Sequence, residues 1–337
     1  MQSRPTSSGL HLRTLDGVRG MAALFVALGH AGSLADNQSL YGVWIFFVLS
    51  GFLLVQPFHA RPKAASWRGA ACYIARRILR IMPLYAAILF LRVIMEGQDM
   101  RWMVNHLTLR WSDGIYWTIK QEMIFYFMLP VVLWMAYSCS GRDGGRALML
   151  AVLSLLAGML LPAERLPVTG WRGSGSPVPL YMGIFLAGMA MGYAVHSAPL
   201  LRLRSRARLW GTGLSVLLIA GWGVLDQLHR PQFPEDFSTW QWHLPLAWTF
   251  AAMLAVMTLL PRSPLGRIAM ALPLRAIGIV GYSFYMWHVL VMDWFESHGA
   301  GGYQLALLTV VCTYACACVT YCLVEAPFLR LARRLRY

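Results

Sequence analysis

Arg19 and His30 are the two residues whose types and spacing most clearly suggest chemistry. They lie eleven positions apart in the first strongly apolar segment of the chain. At the α-helical rise this spacing covers about 16 Å in about three turns, so both side chains fall on one helix face. Ionisable groups at membrane depth are costly and usually functional. The pair therefore predicts a functional site that runs from one membrane surface into the interior.

Glu122 and His288 are predicted to lie at the same level as His30, in the outer half of the bilayer. Polar groups that face lipid are costly, so the three side chains are expected to converge on an interior cavity. There His30 could take a proton from a hydroxyl and return it to a leaving group. Glu122 could orient that imidazole or stabilise its charged form.

Each of these residues also has a purely structural interpretation. His30 could be hydrogen-bonded between helices. Glu122 could form an ion pair with the nearby Lys120 or with Arg92, and His288 could pack at the membrane interface. The sequence alone leaves these alternatives open.

A second cluster, formed by Arg76, Arg77 and Arg80, is predicted on the cytoplasmic side. Arg77 and Arg80 are one helical turn apart and could grip a phosphate together, since guanidinium groups suit phosphate oxygens. The competing interpretation is a membrane-surface anchor that binds anionic lipid.

The composition is that of a polytopic membrane protein. Of the 337 residues 58% are hydrophobic and 13% charged, with a mean hydropathy of +0.54; a soluble domain carries nearly twice that charged fraction. The net charge of +15 is spread over short loops, which argues against nucleic-acid binding. The C-x3-C-x-C-x3-C pattern at 312–322 lies in an apolar run, so we expect packing residues and no metal site.

Ten apolar segments are long enough to suggest membrane spans. They lie near 15–35, 41–57, 81–97, 115–138, 146–162, 178–196, 208–227, 244–261, 272–294 and 303–325. Most of the 29 Lys and Arg fall in alternate loops, which predicts that both termini are cytoplasmic. The sequence thus predicts an all-α protein with a cytoplasmic tail at 1–14, one membrane domain at 15–330 and a basic cytoplasmic tail at 331–337.

Three connecting regions have predictions of their own. Segment 64–80 is amphipathic and basic and is expected to lie along the cytoplasmic interface, with Pro83 at its exit. Segment 98–114 reads either as an outer loop or as a re-entrant segment. The outer loops also carry tryptophans that could stack on sugar rings or belong to an interfacial belt. These are Trp102, Trp111, Trp171, Trp240 and Trp242.

Six short blocks resemble, in order, those of the acyltransferase 3 family, integral-membrane O-acyltransferases of bacteria with relatives in animals. The blocks are Leu15–Gly20 through His30, Phe46–Phe52, Arg76–Tyr85, Trp117–Tyr126, Tyr282–His288 and Glu325–Phe328. The first contains a basic-x10-His motif, the third an Arg-x-x-Arg motif and the fourth Trp-(Ser/Thr)-x3-Glu. Trp44 and Met123 depart from the residues that many members have at these positions.

The resemblance implies a multi-pass protein of the bacterial cytoplasmic (inner) membrane. Such a protein moves an acyl group, usually acetyl, from a cytoplasmic coenzyme A thioester to the hydroxyl of a carbohydrate, lipid-linked glycan or small molecule. It implies that His30 is the catalytic residue, that Arg19 supports it or the donor, and that Arg77 and Arg80 hold coenzyme A phosphates. Glu122 would assist His30. Many members also carry an extracytoplasmic esterase-like domain, which is not expected here.

Two other classes of function remain possible from the sequence. An intramembrane histidine and glutamate at one depth could form the proton relay of a proton-coupled transporter. The absence of an evident internal repeat and the cytoplasmic arginine pair favour the enzyme. A non-catalytic partner of a polysaccharide synthase is less compatible with the intact Arg19–His30 spacing.

Overall fold

Helices account for nearly all of the chain that the computed structural model describes. The described residues are 7–32, 36–60, 67–160, 165–166, 178–179, 181–229 and 243–335. The helices are α1 Ser7–His30, α2 Asp36–Ala60, α3 Trp67–Glu96, α4 Met100–Leu107, α5 Trp117–Cys139, α6 Asp143–Leu160, α7 Met182–Ala194, α8 Ala198–His229, α9 His243–Leu259, α10 Pro264–Ala269, α11 Leu272–Ile279, α12 Gly281–Ser297, α13 Gly302–Thr320 and α14 Ala326–Arg334. Two-residue strands, β1 Arg165–Leu166 and β2 Val178–Pro179, pair antiparallel. The predicted all-helical class is confirmed apart from this short ladder.

The helices also show how many segments could cross a membrane. Among the described residues, five are long and apolar enough: Ser39–His59, Arg68–Glu96, Gly114–Cys139, Trp210–Leu228 and Gly302–Arg334. A sixth is possible if α11 and α12 form one bent span, and α7 and α9 are shorter apolar helices. The chain is thus a membrane protein with several apolar helices, whereas ten spans and cytoplasmic termini stay predictions.

The boundaries of the two predicted tails do not coincide with breaks in secondary structure. Helix α1 begins at Ser7, inside the segment 1–14. At the other end the chain passes from α13 through a π-helical turn, Tyr321–Glu325, into α14, which continues to Arg334. The basic tail is therefore in part the last helical turn.

Segment 64–80 is not a separate helix, and its predicted position along the cytoplasmic interface stays a prediction. Residues from Trp67 onward belong to the 30-residue helix α3, which continues to Glu96. Pro83 lies inside this helix and does not end it. A proline removes one backbone donor and usually bends a helix, but surrounding helices in a membrane protein can compensate. The arginines of α3 are therefore rigidly continuous with a membrane-spanning helix.

The predicted span at 272–294 is broken. Helices α11 and α12 meet at an angle of 86° around Val280. The bend places Gly281, the first residue of α12, against the aliphatic part of Arg19, where an added Cβ would lie 3.0 Å from the arginine chain. Broken helices at membrane depth are tolerated where they are buried in protein or line a cavity.

The region 98–114 folds as α4 followed by a tight 3-10 turn at Gly114–Tyr116. His106 is buried and lies 3.1 Å from Asp113, and Trp102 Nε1 donates to the same carboxylate at 2.7 Å. Burial alone would raise the pKa of Asp113, but these two hydrogen bonds and the charge of Arg92 lower it below its ordinary value. This network fastens α4 to the start of α5.

The central helix of the bundle is α2, the most buried of the candidate spans. It packs on α7 at glycines: an added Cβ at Gly51 would lie 2.0 Å from the Phe185 carbonyl oxygen, and one at Gly188 would lie 2.1 Å from that of Val48. The ring of Phe185 stacks on Phe47 with centroids 4.4 Å apart. Small residues that let two backbones approach closely are typical of helix pairs in membranes.

Helix α1 is held against α11 in the same way. A Cβ at Gly278 would lie 1.7 Å from the Asp16 carbonyl oxygen, and one at Gly20 would lie 1.8 Å from that of Leu274. A Cβ at Gly17 would meet the Ala269 carbonyl oxygen at 1.6 Å. A side chain at Gly20 or Gly278 must push α1 and α11 apart, and one at Gly17 must push α1 away from α10.

The substitution Gly278→Ala tests this packing. We expect it to lower the thermal unfolding midpoint of the purified protein, because overpacking costs about 1–3 kcal/mol. Gly213→Ala in α8 is the matched control: nothing lies within 4 Å of the added Cβ. Alanine favours a helix over glycine by about 1 kcal/mol, so the control should melt at the same temperature or higher. Equal melting of the two variants would contradict the packing account.

Candidate active site

A partly open cavity lies between α1, α2, α3, α5 and α12. Four charged side chains line it: Arg19, Arg77, Arg80 and Glu122. The remaining lining is largely apolar and aromatic, and it includes Phe46 and Tyr285. The cavity therefore brings together residues from the first five of the six sequence blocks.

Arg77 and Arg80 contribute two half-buried guanidinium groups from one face of α3. Arg77 lies over the rings of Tyr73 and Tyr126, at 5.3 and 5.5 Å from their centroids. Neither arginine forms an ion pair within 4.0 Å with another residue that the structure describes. Their charges are thus available to an anion that enters the cavity.

Arg76, the third member of the predicted cluster, points elsewhere. Its guanidinium donates a hydrogen bond to the backbone carbonyl of Leu335, just beyond α14. It is not among the residues that line the cavity. The structure thus separates Arg76 from Arg77 and Arg80, although the sequence places the three together.

Arg19 is held by its own helix and by the bend between α11 and α12. Its Nη1 donates to Asp16 at 2.9 Å and to the Gly278 carbonyl at 3.3 Å. The close approach of α1 and α11 at Gly20 brings that carbonyl within reach. A guanidinium satisfied on one side can still present its other donors to the cavity, because it carries five N–H groups.

Glu122 lies in the cavity but is not hydrogen-bonded to a histidine. Its Oε1 accepts from Ser50 Oγ at 3.0 Å and from the hydroxyl of Tyr126. The predicted alternative, an ion pair with Lys120 or Arg92, is wrong for the described structure. Lys120 Nζ points to the Arg110 carbonyl and Arg92 pairs with Glu96.

His30 is placed beside His288. His30 Nδ1 and His288 Nε2 are 2.9 Å apart, and the two rings are nearly parallel, with an interplanar angle of 10°. His288 is buried, whereas His30 keeps partial exposure. Two of the three residues predicted to share the cavity, His30 and His288, thus contact each other. Neither is among the residues that line the cavity, whereas Glu122 lines it and is bound elsewhere.

Tyr285 connects this imidazole pair to the cavity. It lines the cavity, its ring packs on His288 with centroids 5.3 Å apart, and its backbone carbonyl accepts from His288 Nδ1. Its hydroxyl donates to the Ile115 carbonyl at 2.9 Å and lies 2.9 Å from the Thr118 hydroxyl. Tyr285 thus contacts both the cavity and His288.

Glu325 is a buried carboxylate whose position the sequence did not explain. It ends the π-helical turn and accepts from Ser283 Oγ at 2.8 Å. π-Helical turns are frequent at functional sites, but they leave no clear sequence pattern. By contrast, Tyr126 could have been anticipated, because it lies one helical turn after Glu122.

Two of the five tryptophans that could stack on a sugar acceptor lie among the described residues. Trp102 is engaged with Asp113, and Trp111 is 41% exposed. Trp171, Trp240 and Trp242 lie outside the described residues. Within the described part of the chain, no group of three His, Cys, Asp or Glu is arranged to hold a metal ion.

Comparison with known proteins is consistent with the site. Residues 12–325 match the model of an acyltransferase domain, that of the acyltransferase 3 family. A putative membrane-bound transacylase, BcsY of Komagataeibacter xylinus, is 25% identical over 93% of this chain and 82% of its own length. Nodulation protein 10 of Rhizobium leguminosarum bv. viciae is 25% identical over 99% and 98%, respectively.

A third relative is the putative peptidoglycan O-acetyltransferase YrhL of Bacillus subtilis, 26% identical over 93% of this chain. The match spans about half of that relative, 54% of its length. No solved structure matches the chain. The family match covers every residue of the cavity and the histidine pair, and so this chain belongs to the acyltransferase 3 family and is a membrane acyltransferase.

Proposed function

We propose that the protein moves an acyl group, in the simplest case acetyl, from cytoplasmic acyl-coenzyme A to a hydroxyl of a carbohydrate or related acceptor, in the bacterial inner membrane. The observation that carries this proposal is the form of the cavity. Its lining combines Arg77 and Arg80, which form no ion pair with another described residue, with Tyr285, whose ring packs on His288 of the His30–His288 pair.

The donor side of the proposal rests on charge. Coenzyme A is long, with phosphates at one end and the thioester at the other. Arg77 and Arg80 are suited to its phosphates, because two guanidinium groups one turn apart can donate several charge-assisted hydrogen bonds. The apolar and aromatic lining, which includes Phe46 and Leu53, would accept the intervening arm. Arg76 is left out of this donor site because of its position.

The chemistry would take place at His30. The imidazole accepts the proton of the acceptor hydroxyl while that oxygen attacks the thioester carbonyl carbon. The carbon–sulfur bond then breaks, the acyl group stays on the acceptor oxygen, and the imidazolium returns the proton to the departing thiolate. Arg19 supports the donor from the same helix. Glu122 acts on the cavity side, where its carboxylate can offset part of the charge of the three guanidinium groups.

Relatives give limited support for the acceptor class. One is described as a peptidoglycan O-acetyltransferase, which fits a glycan hydroxyl as the acceptor. The described outer segments contain aromatic residues but define no sugar site. The proposal therefore commits to a hydroxyl of the carbohydrate class and not to a particular glycan.

Replacing His30 with alanine tests the chemical step. Loss of a general base typically costs 10²–10⁴-fold in rate, so transfer of labelled acetyl from acetyl-coenzyme A should fall by about that factor. Membrane insertion and the elution profile should not change. His298→Ala is the control, because His298 is an exposed histidine at the end of α12. Transfer that survives in the His30 variant would rule out the assigned base.

Replacing Arg77 or Arg80 with alanine tests the donor site. Each change should raise the KM for acetyl-coenzyme A by about 10-fold or more, since a hydrogen bond to a charged group contributes about 1.5–3 kcal/mol. The KM for S-acetyl-pantetheine, which lacks the phosphates, should not change.

Arg330→Ala, at an exposed arginine of α14, is the matched control for these variants. An equal effect on the two donors would contradict phosphate recognition. If instead the variants only lost stabilisation by anionic lipid, the membrane-anchor interpretation of these arginines would be favoured.

A further inference from the structure

His288 is the buried titratable residue that the mechanism above does not use. His288 is 1% exposed, whereas its neighbour His30 is partly exposed. Both of its ring nitrogens have partners: Nδ1 faces the Tyr285 carbonyl and Nε2 faces His30 Nδ1. A histidine that only filled space would not need both contacts.

The Tyr285 carbonyl decides which nitrogens carry protons. A carbonyl oxygen can only accept, so His288 Nδ1 must be the protonated nitrogen that donates to it. In a neutral imidazole the other nitrogen is then an acceptor. His288 Nε2 therefore accepts, and His30 Nδ1 must donate across the 2.9 Å contact. The proton of His30 is thus on Nδ1, and its basic lone pair is on Nε2.

The surroundings favour this neutral chain of donors and acceptors. Ala31, which follows His30, and Met292, one helical turn after His288, pack into an apolar cluster with Leu305 and Ala306. Charging both imidazoles at such close range would be unfavourable in a low-dielectric interior. The same environment strengthens a fully satisfied hydrogen-bond chain.

We propose that His288 is a positioning residue for acyl transfer: with the Tyr285 carbonyl it fixes His30 in the Nδ1–H tautomer and so presents Nε2 as the base. The kinetic part of this proposal rests on the proposed role of His30. The tautomer part does not, since it concerns the resting protein. The arrangement resembles in logic the carboxylate that orients the histidine of a serine protease, where loss of the correct tautomer lowers kcat by roughly 10⁴-fold.

Two substitutions separate positioning from packing. In His288→Gln the amide oxygen can reach the place of Nε2 and accept from His30 Nδ1–H, so kcat should stay within about 10-fold of the unaltered enzyme. In His288→Leu the volume is kept but the acceptor is lost, and kcat should fall about 100-fold or more. The KM for acetyl-coenzyme A should change little in either variant, because the donor phosphates bind elsewhere.

The control substitutions are made at His298, and nitrogen-15 NMR reports the His30 tautomer directly. His298→Gln and His298→Leu are the same changes at an exposed histidine of the same helix and should leave kcat unchanged. Nitrogen-15 NMR of histidine-labelled protein, assigned with the His30→Ala variant, should show His30 protonated at Nδ1. In His288→Leu the His30 signal should lose that tautomer, and in His288→Gln it should keep it.

The possible outcomes are distinguishable. Equal kcat in the Gln and Leu variants, whether both low or both high, would overturn the positioning role. A His30 tautomer that is insensitive to His288→Leu would overturn the proton assignment. If the tautomer responds as expected but His30→Ala keeps full transfer, the positioning geometry stands and the proposed base at His30 fails.

Discussion

The close approach of α1 to α11 is the constraint on which the rest of the site depends. Backbone-to-backbone contact at Gly20 and Gly278 leaves no room for side chains between the two helices. It brings the Gly278 carbonyl to Arg19, and after the 86° bend α12 begins beside Arg19 at Gly281. His288 of α12 then meets His30 of α1. The close glycine contact between α1 and α11 thus positions both Arg19, which lines the cavity, and the His30–His288 pair.

The charged groups that line the cavity differ in the partners that they have within the protein. Glu122 accepts hydrogen bonds from the Ser50 and Tyr126 hydroxyls and forms no ion pair within 4.0 Å with a described arginine. Arg77 lies over two aromatic rings, and neither Arg77 nor Arg80 forms an ion pair within 4.0 Å with another described residue. Such a cavity carries an excess of positive charge inside a protein with an apolar exterior. An anionic ligand with a long uncharged arm complements it.

Much of this could be predicted from sequence, because helical periodicity is a strong constraint. It placed Arg19 and His30 on one face and Arg77 and Arg80 one turn apart, and the cavity lining agrees for Arg19, Arg77 and Arg80. Depth along a helix does not determine which neighbour a side chain faces. For that reason the predicted support of His30 by Glu122 has no direct hydrogen bond in the structure, and His288 occupies that position.

Other features depend on tertiary contacts that leave weak local signals. The continuity of α3 through Pro83 and the break at Val280 both depend on neighbouring helices. The same holds for the separation of Arg76, whose partner Leu335 lies at the far end of the chain. Arg76 and its neighbour Arg77 were predicted to lie in one cluster, although a helix turns successive side chains by about 100°.

The most direct measurement of the central claim is a structure of the protein with a non-reactive thioether analogue of acetyl-coenzyme A. The account predicts the phosphates within hydrogen-bond distance of Arg77 and Arg80. It also predicts the acyl carbonyl carbon on the Nε2 side of His30, within roughly 6 Å, so that an acceptor oxygen fits between them. An analogue bound outside the cavity, or with its acyl carbon directed away from His30, would contradict the account.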